Sequence, residues 1–212
     1  METLNIKNLL GENTIEKTLM PDPKIMKAKL AIRTKRIHLK AKKKNEIRLE
    51  HLRELLSELP KVNESFHVVS SGNFDFWMYI PYLIGMMGYA DNLYVSTWTM
   101  SREVVNQIFE MFDTGKAKSL SVMTGLYLKR RETAVYTMLL NGIINRNQRY
   151  VAFKNHTKLL LLSNIKSNVY LVIEGSANLT ANPRAEQFIL THSRELYNFH
   201  CEWMNDMFER AK

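Results

Sequence analysis

The residue types best suited to chemistry lie between positions 156 and 186. His156-x-Lys158 comes first, Gly175-Ser176-Ala177-Asn178 follows, and Glu186 closes the set. The first pair stands where a strand of composition KLLLL (158–162) begins. Residues two apart on a strand face the same way, so the spacing predicts that His156 and Lys158 project together. The second set ends an apolar strand, NVYLVIEG (168–175). A glycine there permits close backbone approach, and Ser and Asn offer short hydrogen-bonding groups. If these two strands pair as a hairpin, both sets share one edge of the sheet. An imidazole, an ammonium, a hydroxyl and an amide at one place suit a phosphate group. Lysine supplies charge, Ser and Asn reach oxygens, and histidine acts as nucleophile or general acid.

The elements that must position these residues alternate along the chain. Residues 1–23 read as a lead-in closed by Pro21-Asp22-Pro23. A basic segment follows, and its second half reads as a helix with Ile47, Leu52, Leu55, Leu56 and Leu59 on one face, ended by Pro60. From residue 62 the pattern predicts strands at 66–70, 92–98, 119–127, 150–153, 158–162, 168–175 and 187–191. Helices are predicted at 75–88, with a kink at Pro81, and at 101–112 behind a Ser101 cap. Two more are predicted at 131–144 and 194–210. The strands at 150–153 and 158–162 read as neighbours around a short turn. Such alternation implies an α/β fold, a sheet layered with helices.

With those elements in place, His156-Thr157-Lys158, then GSANLT (175–180), then Glu186 resembles the phospholipase D superfamily. More narrowly, the chain is similar to the nuclease-like members that carry a single His-x-Lys motif. The resemblance covers roughly residues 66–212. It implies an α/β fold with a mixed β-sheet flanked by helices, here preceded by a basic helical N-terminal arm. With the change of pattern at residue 62, the chain reads as residues 1–61, lead-in and arm, and residues 62–212, the phospholipase D-like domain. It implies that His156 attacks phosphorus and forms a phosphohistidine, and that Lys158 and Asn178 hold the non-bridging oxygens. Ser176 would support the phosphate or the histidine. Glu186 would bond the other imidazole nitrogen and set its tautomer, with Glu174 as a competitor for that role. Such chemistry needs no metal and no cofactor. It does need two histidines, and single-motif members supply the second by forming a homodimer.

The sequence departs from the pattern at Ser163, where the broader superfamily often has an aspartate five residues after the lysine. The stretch before Gly175-Ser176 is also longer, which predicts a longer turn through Ile165, Lys166 and Ser167. These departures keep a second reading open: a DNA-binding or recombination-accessory protein on the same fold without catalysis.

Charge is distributed unevenly. The whole chain has a net charge of +9, while residues 24–53 alone carry twelve Lys/Arg against Glu46 and Glu50, so the rest is close to neutral. Arg33, Lys35, Arg36, Lys40, Lys42, Lys43 and Lys44 form the dense part and are the candidate DNA contacts. Deleting residues 1–60 is therefore expected to weaken DNA binding. Few large apolar residues accompany the lysines, which disfavours membrane insertion. The longest apolar run, Phe76–Met87, falls well short of the ~20 residues that span a bilayer. A single cysteine, Cys201, precludes an internal disulfide, and the N-terminus lacks a secretion-signal layout, so a cytoplasmic setting is expected. Cys201 reads as a buried thiol. His38, His51, His67, His192 and His200 read as structural or surface residues. Phe74, Phe76, Trp77, Tyr79 and Tyr82 read as core or dimer interface rather than a base-stacking surface.

Overall fold

The computed structural model describes residues 50–70, 76–180 and 184–210. The chain divides into two units, Met1–Asn45 and Glu46–Lys212, and every described residue lies in the second. The candidate DNA contacts at Arg33, Lys35, Arg36, Lys40, Lys42, Lys43 and Lys44 lie outside the described residues, as do His38 and Phe74.

The first described element is helix α1, residues 50–55. Leu52 and Leu56 are fully buried in the main core, Leu59 packs on its margin, and Leu55 is 53% exposed. Leu56 stands one turn after Leu52, its N–H bonding the Leu52 carbonyl at 2.9 Å, but the helix stops at residue 55, short of the Pro60 end expected from sequence, and Leu55 points away from the core. This helix lies in the second unit, Glu46–Lys212.

Among the described residues, seven strands form one mixed sheet in the order β1-β7-β6-β5-β2-β3-β4. They are β1 (Ser65–Ser70), β2 (Asn92–Thr97), β3 (Leu120–Gly125), β4 (Arg149–Phe153), β5 (Leu159–Asn164), β6 (Val169–Gly175) and β7 (Glu186–His192). The pairs β2·β3 and β3·β4 are parallel, and the other four are antiparallel. The centre of the sheet is buried on both faces, which explains why LLLL and YLVI read as continuous apolar runs. Alternate residues divide between two cores. Leu160, Leu162, Leu171 and Ile173 face a cluster built with α2 (Tyr79–Met87), α3 (Arg102–Asp113) and α5 (Thr133–Asn145). Leu159, Leu161, Tyr170 and Val172 face Tyr197, Met204 and Phe208 of α6 (Arg194–Arg210).

The expected helix at 75–88 begins as a 3-10 turn, Phe76–Met78, that runs into α2. Pro81 falls in the first turn of α2, a position where proline is tolerated. Ser101 caps α3 as expected, its Oγ accepting from the Val104 N–H at 3.3 Å. The strand predicted to run to residue 127 stops at Gly125, and α4 (Leu126–Arg131) follows at once. The expected neighbours β4 and β5 are separated by β3 and β2. Residues 154–158 therefore pass over the ends of two strands instead of turning a hairpin.

Candidate active site

That crossing is the origin of the site. The chain builds β2, β3 and β4 outward in one direction, then returns to place β5 on the other side of β2. The strand order thus reverses beside β2, and in open α/β sheets the crevice at the carboxyl ends of the strands at such a point receives ligands. Residues 154–158 lie across that crevice.

Asn155 holds the crossing segment down. It is 4% exposed. Its Nδ2 donates to Ser96 Oγ at 2.9 Å and to the Thr97 carbonyl at 3.4 Å. Its Oδ1 accepts from the Thr157 N–H at 3.0 Å and the Thr157 hydroxyl at 2.8 Å. Thr157 Oγ1 also lies 2.6 Å from Ser96 Oγ. Gly125 lets the segment come this close. A Cβ there would stand 2.8 Å from the Trp98 carbonyl oxygen and 2.9 Å from that of Asn155. These backbone atoms have no freedom to withdraw.

Pinned in this way, the segment turns His156 and Lys158 outward together, from a loop rather than from the expected strand. Lys158 Nζ lies 2.9 Å from His156 Nδ1 and donates to the His156 carbonyl at 2.6 Å. Burial pushes the Lys158 ammonium below the ordinary lysine range, and the charge of Glu186 opposes that shift. The indole of Trp98 stands 5.7 Å from the imidazole, centroid to centroid, and is tilted by 55°.

The β5·β6 register brings the second half of the motif alongside. Leu159 pairs with Glu174, and the Gly175 N–H donates to the Lys158 carbonyl at 3.1 Å. A Cβ on Gly175 would stand 2.7 Å from the ring of Phe188, its partner on β7, so the glycine admits that ring. Ser176 is exposed, and its hydroxyl donates to Glu186 and accepts from the Gln187 N–H at 3.2 Å. Beyond it, the Leu179 N–H bonds to the Thr99 carbonyl, and the Leu179 carbonyl accepts from the Ser101 N–H. Asn178 is thereby tied against the loop that follows β2, with its buried Oδ1 lacking a hydrogen-bond partner among the described residues.

The structure therefore gathers His156 with Lys158, and Ser176 with Glu186, at one end of the sheet, with Asn178 anchored nearby. The competing acid, Glu174, points to the opposite face, where a carboxylate oxygen lies 3.5 Å from His200 Nε2. Ser163 is fully buried at the far end of β5, bonded by Asn92 Nδ2 and the Tyr197 hydroxyl. Five residues of strand put it about 16 Å from Lys158. Arg184 is exposed. His192 is buried against the Pro60 and Asn168 carbonyls. Cys201 is partly buried beside Tyr94 and Tyr197, and burial raises its thiol pKa. Asn155, Thr157 and Ser96 went unmarked in the sequence. The one available signal was that both neighbours of His156 are small and polar.

The class is set by the architecture: a mixed seven-stranded sheet flanked by helices, with the fold of phospholipase D. The sequence matches no protein-family model and no curated protein. Among solved structures, the chain is similar to a phospholipase D family member, Nuc from Salmonella typhimurium. The TM-score is 0.53 with 14% identity, over 70% of this chain and 97% of that one. It is also similar to TrmBL2, an archaeal chromatin protein with a novel mode of DNA binding. There the TM-score is 0.50 with 16% identity, over 89% of this chain and 70% of that one. A third similar structure is the phosphatidylserine synthase of Haemophilus influenzae, at TM-score 0.51 and 14% identity, over 73% and 40%. At these identities the likeness establishes the fold. Among the described residues, no helix is long and apolar enough to cross a membrane.

Proposed function

We propose that the protein is a metal-independent phosphodiesterase acting on DNA, with a composite active site in a homodimer. The observation that carries this reading is the Asn155-pinned crossing segment. It presents His156 and Lys158 at the strand-order reversal, beside Ser176 and Glu186. Lys158 Nζ faces both ring nitrogens, 2.9 Å from His156 Nδ1 and 3.3 Å from Nε2. A phosphate that draws the ammonium to itself would free the ring, and with the ring proton held on Nδ1 the Nε2 lone pair attacks phosphorus. The P–O bond to the leaving strand then breaks, and that oxygen takes a proton from His156 of the second subunit. Water then gives a proton to that second His156 and attacks the phosphohistidine, which breaks the P–N bond and restores both imidazoles. Lys158 and Asn178 would hold the non-bridging oxygens, while Ser176 keeps the Glu186 carboxylate near. Ser163 weakens this reading little, since position 163 lies at the other end of its strand.

The test is cleavage of DNA in EDTA by the wild-type chain and by His156→Ala. The substitution should abolish cleavage and an acid-labile phosphoryl adduct while leaving DNA binding intact, and light scattering should give a dimer. Activity that survives the change, or that requires added divalent metal, would sink the mechanism. A second reading, a DNA-binding protein on this fold without turnover, is favoured by the similarity to a chromatin protein. It expects salt-dependent binding with no cleavage from either chain.

A further inference from the structure

The described unit carries cations and rings at the same end of the sheet as His156, and the reading above leaves them unused. Helix α4 starts directly at the carboxyl end of β3 and ends in Lys129, Arg130 and Arg131, all exposed. Six helical residues span about 9 Å, so these charges stay close to Gly125 and the crossing segment above it. Lys129 leans over the Tyr136 ring at 5.8 Å. Among the described residues none of the three joins an ion pair, and Glu132 is the one acid that follows directly. Lys154, also exposed, enters the crossing segment from the same side.

Between these cations and His156 stand two partly exposed rings. Trp98 directly follows β2 and Tyr127 lies in the first turn of α4, with centroids 4.2 Å apart and planes 32° apart. The indole continues to the imidazole of His156 at 5.7 Å. Gly125 sets this spacing, because a Cβ there would stand 2.5 Å from Trp98 Cδ1. A surface of cations interleaved with rings tracks a backbone while bases stack, and stacking requires bases that are not already stacked in a duplex.

We infer that Trp98, Tyr127 and the Lys129-Arg130-Arg131 end of α4 form a single-stranded DNA track leading to the phosphate site. The track seats the nucleotide beside the scissile phosphate through its base and the following phosphates through α4. The inference rests on the phosphodiester-site reading for its direction, and binding tests it separately from cleavage. Full-length His156→Ala, which should bind without cutting, is titrated with a fluorescent oligonucleotide of ~20 nucleotides and with its duplex, from about 50 to 200 mM salt. Replacing Lys129, Arg130 and Arg131 by Gln should lower the single-strand salt slope by about 2, at ~0.7 per phosphate contact. Tyr127→Leu and Trp98→Leu should weaken single-strand binding roughly 10-fold, within the range for one stacked base, and change duplex binding less than about 2-fold.

The triple change is on exposed side chains and leaves the core intact, so it stays informative even if a ring variant folds poorly. A second measurement needs no substitution: a 5-iodouracil oligonucleotide is photo-crosslinked and the adduct mapped by mass spectrometry. Adducts at Trp98 or Tyr127 support the track. Adducts confined to residues 24–53, an unchanged salt slope, or equal losses for strand and duplex overturn it. Mapped adducts without any cleavage would refute the catalytic reading and leave the track standing.

Discussion

Removing the side chain of Asn155 isolates the device that positions the site. Asn155→Ala deletes three hydrogen bonds of 2.8–3.0 Å and a fourth of 3.4 Å. A net contribution of about 0.5–1.5 kcal/mol per bond gives a destabilisation of roughly 2–4 kcal/mol. Ser96 Oγ keeps its contact with Thr157 Oγ1, which limits the desolvation penalty. Against a typical domain stability of about 5–15 kcal/mol the chain still folds. The melting temperature should drop by roughly 5–15 °C for a unit of this size. The Thr157 amide, which donates to Asn155 Oδ1, should lose protection from hydrogen exchange before the β-sheet core does. Release of the segment moves His156 and Lys158, and a shift of about 1 Å costs on the order of 100-fold in turnover. Asn155→Asp should not rescue, because it keeps the acceptor, loses both donor contacts and buries a charge. Thermal melts, exchange at Thr157 and single-turnover cleavage together test this. A melting point unchanged within a degree or two, with Thr157 still protected, would refute the view that Asn155 is the pin.

Three further outcomes follow from the same geometry. Gly125→Ala forces a Cβ against two carbonyl oxygens, so it should cost about 1–3 kcal/mol in a urea titration, and more than Gly→Ala at Gly85, which has open space around it. Because burial lowers the Lys158 pKa, rising pH removes its charge earlier than for an exposed lysine. The alkaline loss of kcat/KM should therefore set in below the ordinary lysine value of ~10.4, and Lys158→Arg should move that limb upward. Deletion of residues 1–60 removes Leu52 and Leu56, whose burial makes each worth about 2–5 kcal/mol, so that truncation should fail to fold. Deletion of residues 1–45 should keep the melting profile of the α/β unit and lower DNA affinity and its salt dependence, measured by gel shift.

The strands and the last helix were legible because each carries its own periodicity, so Ser65–Ser70, Asn92–Thr97 and Arg194–Arg210 follow the expected ranges closely. The short helix α4 was not legible, since LYLKRR continues a β-like run and its buried face is Leu128 alone. The separation of β4 from β5 was also hidden, because a five-residue link looks like a hairpin until the positions of β2 and β3 are known. Within the site, residue types between 156 and 186 marked the cluster. The pin could not be read, because Asn155 acts through Ser96 and Thr97, 59 and 58 positions away along the chain. The charge pattern drew attention to residues 24–53 and away from Lys129-Arg130-Arg131, whose neighbourhood only the fold reveals.

The turn between β5 and β6 lies at the end of the sheet opposite the crossing segment, with Ile165 exposed and Asn168 at a positive φ of 54°. The two halves of the motif are held side by side by strand register, whatever the number of residues in that turn. Its length is therefore free to drift over evolutionary time without cost to the chemistry, and a fixed-spacing pattern search will overlook chains in which it has. The same freedom makes the turn a place for a fluorophore, an inserted tag or the new termini of a circular permutant.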